Sequence, residues 1–207
     1  PALVVPGQGS SLELTVEQHK EGWKRAREAT SSGPSGIHFG HFIAGTSHEA
    51  VCLFDTTMAN YPYRSGYSPD RWQQGTNVML EKKPGNFRVD KLRAILLYEP
   101  DFNHNNKRLG QDAMYYAEEL DQIAKEQYGS RKNRSANDQG LNKELTTDLL
   151  RQKKQPGALN SNDAKACYDR IVHSVASLCL QRNGVPREPV ICMFTTIQNL
   201  KHHIRAV

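Results

Sequence analysis

What the chain lacks narrows the reading first. Its four cysteines, Cys52, Cys167, Cys179 and Cys192, are widely scattered and form no CxxC pair. That argues against a disulfide scaffold or a zinc ribbon and for reduced, mostly buried thiols. No apolar stretch approaches the roughly 20 residues that a membrane span needs. Pro1 to Gly9 carries neither the basic cap nor the apolar run of a secretory signal. A soluble intracellular protein with no membrane partner is expected, with nucleus and cytoplasm left open. There is no internal repeat and no low-complexity tract. His38, His41 and His48 are close in sequence but have no fourth ligand nearby, so loop packing or stacking is expected of them rather than a metal site.

What is present begins with length and charge. The 207 residues are enough to bury a core in one large domain or two small ones. A net charge of +5 permits a polyanionic partner without demanding one. The distribution says more. Arg64, Arg71, Lys82, Lys83, Arg88, Lys91, Arg93, Lys107 and Arg108 fall together against five acids. Lys125, Arg131, Lys132, Arg134, Lys143, Arg151, Lys153 and Lys154 make a second cluster. Such runs are ordinarily solvated faces, and they are also the electrostatic footprint of nucleic-acid binding.

Periodicity then organises the chain. Residues 1–12 read as a loose lead-in. Thr15 and Gln18 form a capping box before an amphipathic helix through Val16, His19, Trp23 and Ala26 to about Thr30. The glycine- and proline-rich stretch SSGPSGIHFGHF (31–42) reads as an ordered loop. A helix with Ala50, Val51, Phe54 and Met58 inward follows Ser47, and Ser68-Pro69 starts a short one. Asn77–Lys83 and Leu92–Tyr98 are strand-like, joined across Pro84-Gly85-Asn86 into a β-hairpin. Helical pattern returns from Asn106, with Leu109, Ala113, Tyr116, Leu120 and Ile123 on one face up to Gly129. After a basic turn at Gly129–Ser135, Leu141, Leu145 and Leu149 mark another helix, ended by Pro156-Gly157. A short strand is expected at Ala158–Asp163, then a helix from about Asp169 with Ile171, Val175, Leu178 and Cys179 buried and Gly184 as its stop. A last helix carries Val190, Met193, Phe194, Ile197 and Leu200, before a half-exposed strand at His202-His203. The class is α+β.

The most informative stretch is SNDAKACYDRI (161–171). A carboxylate at a strand end, Asp163, with an aromatic five residues later, Tyr168, suits a metal-dependent phosphoryl-transfer site, because carboxylate oxygens are hard ligands for magnesium. The same spacing also fits a loop acid at 163 and a helix cap at Asp169.

These residues occur in a context. SNDAKACYDRI resembles the first palm motif of reverse transcriptases. NVMLEKKPGNFRVDKLRAILL resembles the fingers hairpin of that family, and EQYGSRKNRSAND resembles its Gln-Phe-Gly-Phe-Arg-x-x-Arg-Ser/Thr segment. SSGPSGIHFGHF sits where non-LTR and group II-type enzymes carry Gly-Pro-Asp-Gly, and Trp72 matches the tryptophan before the hairpin. The set runs in the family's order over about residues 30–205.

The resemblance implies the fingers and first part of the palm of a right-hand polymerase. Residues 1–30 would be the lead-in and first helix, 31–156 the fingers with a hairpin at about 77–98, and 157–207 a partial palm. The implied activity is RNA-directed DNA synthesis of retrotransposon type, with an RNA template, a DNA primer and a deoxynucleoside triphosphate as partners and two Mg²⁺ (or Mn²⁺) ions in a complete domain. Asp163 would be the first metal-binding carboxylate and Tyr168 the steric gate against a 2′-hydroxyl. Arg93, helped by Lys82 or Lys83, would reach the incoming triphosphate, as would the backbone of Ala164 to Cys167. Arg131, Lys132 and Arg134 would contact template or primer phosphates. Arg93 as a plain surface cation and Tyr168 as a plain core aromatic are the bland counterparts of these roles.

The departures matter as well. The family's second acidic pair has no counterpart after Asp163, where Asp169 and Glu188 are the only carboxylates. The 207 residues alone are therefore expected to be inactive, with the rest of the palm and the thumb missing if the native gene encodes them. A non-catalytic nucleic-acid-binding remnant and an inert α+β relic are the alternatives.

Overall fold

The computed structural model of the chain describes residues 13–164 and 167–206. The lead-in read over residues 1–12 lies outside them, as do Lys165 and Ala166. The described chain is a mixture of helices and one small three-stranded sheet, which agrees with the α+β class. It divides into two compact units, residues 1–111 with 173–207, and residues 112–172.

In the larger unit, helix α1 (Val16–Lys24) starts as its sequence requires. Thr15 Oγ1 accepts from the Gln18 N–H, and Gln18 Oε1 accepts from the Thr15 N–H. Helix α2 (Phe39–Gly45) occupies part of the stretch read as a loop. Phe39 and Phe42, three residues apart, share a helical face, and both rings pack on Trp23. The nearby histidines cap this turn, since His41 Nδ1 accepts from the His38 N–H at 2.8 Å.

Helix α3 (Glu49–Ser65) turns the opposite face inward from the one expected. Cys52, Thr56, Ala59, Asn60 and Tyr63 are buried, while Val51, Phe54 and Met58 are exposed. Asn60 explains the choice: its amide accepts from the Leu14 N–H at 2.8 Å and donates to the Leu14 carbonyl at 2.9 Å. That clamp fixes which face meets the chain entering α1. The small residues beside it let neighbouring helices approach, and Thr56 satisfies its hydroxyl on the Cys52 carbonyl.

Ser68-Pro69 does not begin a helix. Trp72 N–H bonds the Pro69 carbonyl in a turn that delivers strand β1 (Gln74–Glu81), which starts too soon for a helix to fit. Strand β2 (Leu92–Leu97) pairs with β1 antiparallel, as the hairpin reading expects, and strand β3 (Lys201–Ala206) pairs with β1 parallel, giving the order β2-β1-β3. Helix α4 (Pro100–Glu119) starts at a proline, earlier than the expected Asn106. Helices α6 (His173–Arg182) and α7 (Arg187–Gln198) pack together ahead of β3. In α6 the inward face is shifted: Val175, Leu178 and Cys179 are exposed, and His173 lies against Phe194.

The smaller unit holds the end of α4 and helix α5 (Ala136–Gln152), capped reciprocally by Ser135 and Asp138. Leu141, Leu145 and Leu149 lie on α5 as read but are exposed. The strand expected at Ala158–Asp163 does not form, and these residues are irregular and exposed. A strand needs a neighbour for its backbone groups, and the described residues of this unit supply none.

Two clusters of buried side chains stand out among the described residues of the larger unit. Trp72, Phe102 and Cys192 pack with Tyr98 around the start of α4. Burial pushes the Cys192 thiol up to about 11, leaving it inert. Elsewhere Trp23 is stacked between Phe42 (4.6 Å) and His104 (4.2 Å), with His19 edge-on to both Trp23 and His104. Neither ring nitrogen of His19 has a hydrogen-bond partner among the described residues.

Burial, with the Arg108 charge, pushes His19 down to about 4. Burial, with His19, Arg108 and Lys107 and against a weaker pull from Asp101, does the same to His104. Both rings are therefore neutral in the folded chain near pH 7, and the unfolded chain binds protons first as pH falls. Stability is full above about pH 6.5 and is lost progressively down to about pH 4, by about 3 kcal/mol for one ring. Urea unfolding at pH 7.5 and 4.5 is expected to show this loss, and His19→Phe is expected to shrink it.

Candidate nucleotide and nucleic-acid interface

The hairpin gathers three of the residues singled out in the sequence. Leu80 pairs with Arg93 and Glu81 with Leu92, so Arg93 stands one step from the end of the ladder. Lys82 and Lys83 follow directly on the opposite arm, where the Lys82 N–H bonds the Lys91 carbonyl and closes the tip. Gly85, at φ +78, makes the reversal, and its N–H donates to Glu81 Oε2. Lys82, Lys83 and Arg93 are exposed, and none of them forms an ion pair with a described residue. Arg88 and Lys91 differ, since both engage Asp90. The first three cations are thus free to meet an external anion.

What holds this hairpin is a buried ionic network that the sequence reading did not pick out. Glu99, just beyond β2, has a side chain only 1% exposed. Its oxygens accept from the Ser35 N–H (3.0 Å), the Ser35 hydroxyl (2.6 Å) and Arg71 Nη1 (2.6 Å). Arg71 also forks onto Asp101, whose Oδ2 accepts from Trp72 Nε1 at 2.9 Å. Burial works to lower Arg71, but its bonds and charge contacts with Asp101 and Glu99 outweigh this and raise it. Burial and the Asp101 charge raise the nearby Asp55. Gly33 completes the fit, because a Cβ there would lie 2.5 Å from Glu99 Oε1 and 2.9 Å from the Glu99 backbone nitrogen. Three separated segments, the SSGPSG loop, the Arg71-Trp72 turn and the exit of β2, therefore meet at one carboxylate. The available signal was Glu99-Pro-Asp101 directly after a strand, with an arginine beside a tryptophan upstream.

In the smaller unit, Asp163 and Ala164 are exposed in an irregular segment, and Cys167 is exposed. Of the expected backbone contacts of Ala164 to Cys167, those at 165 and 166 lie outside the described residues. Tyr168 begins a 3₁₀ turn (Tyr168–Arg170) and is 89% exposed, so it is not a core aromatic. The regular helix expected near Asp169 starts at His173.

Arg131 is engaged with its own turn. It pairs with Glu118 at 3.1 Å and donates to the carbonyls of Ala124 and Gln127, with its side chain 13% exposed. Lys132 and Arg134 are exposed, and the Arg134 guanidinium lies 5.2 Å from the centre of the Tyr128 ring. Among the described residues no group of three or more His, Cys, Asp or Glu side chains is placed to hold a metal ion. Asp163 in its described surroundings does not by itself make a magnesium site. No family model and no curated protein matches the sequence.

Arg71→Met removes the only cation that pairs with Glu99 among the described residues and leaves a buried charge. The expected cost is about 3–5 kcal/mol, read from urea unfolding followed by tryptophan fluorescence. The double variant R71M/E99Q is expected to recover part of it.

Proposed function

We propose that this chain is the fingers and opening palm of a reverse transcriptase domain of the non-LTR or group II-like type, an RNA-directed DNA polymerase of retroelement origin. The observation that carries the reading is the cationic hairpin: Arg93 exposed beside Lys82 and Lys83, with no ion pair to any described residue, at the end of an antiparallel ladder. The meeting of the SSGPSG loop, Trp72 and the hairpin exit around Glu99 supports it too, since those are motif segments of the resemblance.

In this reading Arg93 binds the triphosphate of an incoming deoxynucleotide, its planar fork matching phosphate oxygens, and Lys82 or Lys83 adds a mobile point charge. Tyr168 is the steric gate that excludes a 2′-hydroxyl, and the backbone N–H groups of Ala164 and Cys167 are assigned to the triphosphate. Lys132 and Arg134 touch template or primer phosphates. Magnesium would supply charge neutralisation in a complete domain, with Asp163 as one of its ligands. The described residues do not complete such a site, so these 207 residues alone are proposed to bind without turning over.

A second reading, a nucleic-acid-binding remnant without polymerase activity, is favoured by one observation: Asp163 is exposed in an irregular segment and belongs to no group of metal-ligating side chains among the described residues.

Titration of a fluorescent deoxynucleoside triphosphate into the chain loaded with an RNA–DNA hybrid separates the two. Saturable binding that Arg93→Ala weakens by about tenfold or more, the scale of one charge-assisted hydrogen bond, supports the polymerase reading. Hybrid binding without saturable nucleotide binding favours the remnant. Loss of both leaves neither standing.

A further inference from the structure

Strand β3 has the sequence Lys-His-His-Ile-Arg over residues 201–205, with a cationic or titratable side chain at every second position, 201, 203 and 205. In a strand those positions share one face. The parallel register sets Lys201 beside Gln74, His203 beside Thr76 and Arg205 beside Val78. The antiparallel register sets Arg93 beside Leu80 and Ile95 beside Val78. Gln74, Thr76, Val78 and Leu80 alternate onto one face of β1, so Lys201, His203, Arg205 and Arg93 all belong to that face. The intervening residues mark the other side, where the Asn77 amide and His202 Nδ1 are 2.7 Å apart.

The face has a definite chemical layout. Arg93 and Arg205 lie on the two outer strands, two strand spacings apart across β1 and offset by two residues along it, roughly 12 Å in all. Val78 and Leu80 on β1, with Ile95 two residues along β2 from Arg93, form an apolar strip beside them, of which Leu80 and Ile95 are exposed. Along β3 the three side chains recur at about 6.6 Å, twice the rise per residue. Residues 201–205 are exposed, and none of the four forms an ion pair with a described residue.

We propose that this sheet face binds the sugar-phosphate backbone of a nucleic-acid strand, with Lys201 and Arg205 as phosphate contacts that extend the Arg93 site. The inference rests on the reading above and deepens it by adding β3. A row of separated cations matches a row of separated phosphates, whereas a compact triphosphate would engage one end of it. The apolar strip accommodates sugars and bases, which a purely electrostatic surface does not favour.

The test measures binding of a labelled single-stranded 20-mer to the full 207-residue chain across a range of salt. Lys201→Gln with Arg205→Gln is expected to weaken binding about tenfold at low salt and to reduce the salt slope by about 1.4, two contacts at roughly 0.7 each. The charge-matched pair Arg25→Gln with Arg27→Gln, in the turn just past α1, is expected to stay within about twofold. Circular dichroism confirms that each variant is folded, and the single variant Arg205→Lys is expected to restore most of the slope.

Wild-type binding that K201Q/R205Q leaves unchanged overturns the inference while the polymerase reading stands. Loss of triphosphate binding with strand binding intact also overturns it, assigning the face to the nucleotide. Binding to phosphatidylserine vesicles, but not to the oligonucleotide, overturns both.

Discussion

A carboxylate removed from water must be neutralised and hydrogen-bonded, or the fold that buries it fails. Glu99 meets that demand with three donors drawn from two distant segments: the backbone and hydroxyl of Ser35, and the guanidinium of Arg71. Because Arg71 also grips Asp101, and Asp101 accepts from Trp72, the same ions tie the aromatic core to the entrance of α4. A glycine at position 33 is needed for the loop to come this close. Geometry at the hairpin follows from this anchor, since β2 runs directly into it.

From that base the sheet acquires its character. β1 is the middle strand, and the outer strands bring arginines to one face from opposite directions in the chain, one antiparallel and near in sequence, the other parallel and far away. Cations with no acidic partner among the described residues need not break an ion pair before they meet a polyanion, which gives the arrangement its proposed use. The contrast with Arg131 is instructive. It carries the same charge, but it is bound to Glu118 and two carbonyls, and so it shapes a turn.

Local chemistry was legible in the sequence and packing choices were not. The Thr15–Gln18 cap and the hairpin turn at Gly85 depend on neighbours in the chain, and each could be read; the last strand was read as a strand, but its pairing with β1 was not. The inward face of α3 could not, because Asn60 selects it by bonding the backbone 46 residues away. Apolar count alone favoured Phe54 and Met58, which the fold leaves exposed. Ala158–Asp163 failed as a strand for lack of a partner, a property no local pattern contains. Among the candidate site residues, the exposed cations of the hairpin emerged from charge and turn signals. Glu99 and Arg71 did not, since a buried ion network is visible only once its segments are brought together.

Amide hydrogen exchange at Ser35 tests the anchor most directly. Its N–H donates to a fully buried carboxylate, so it is predicted to exchange only through large openings, at a rate close to that of Trp72 and Phe102 in the adjoining core. Exchange at Ser35 as fast as at the neighbouring exposed Ser31, with the core still protected, would contradict the account.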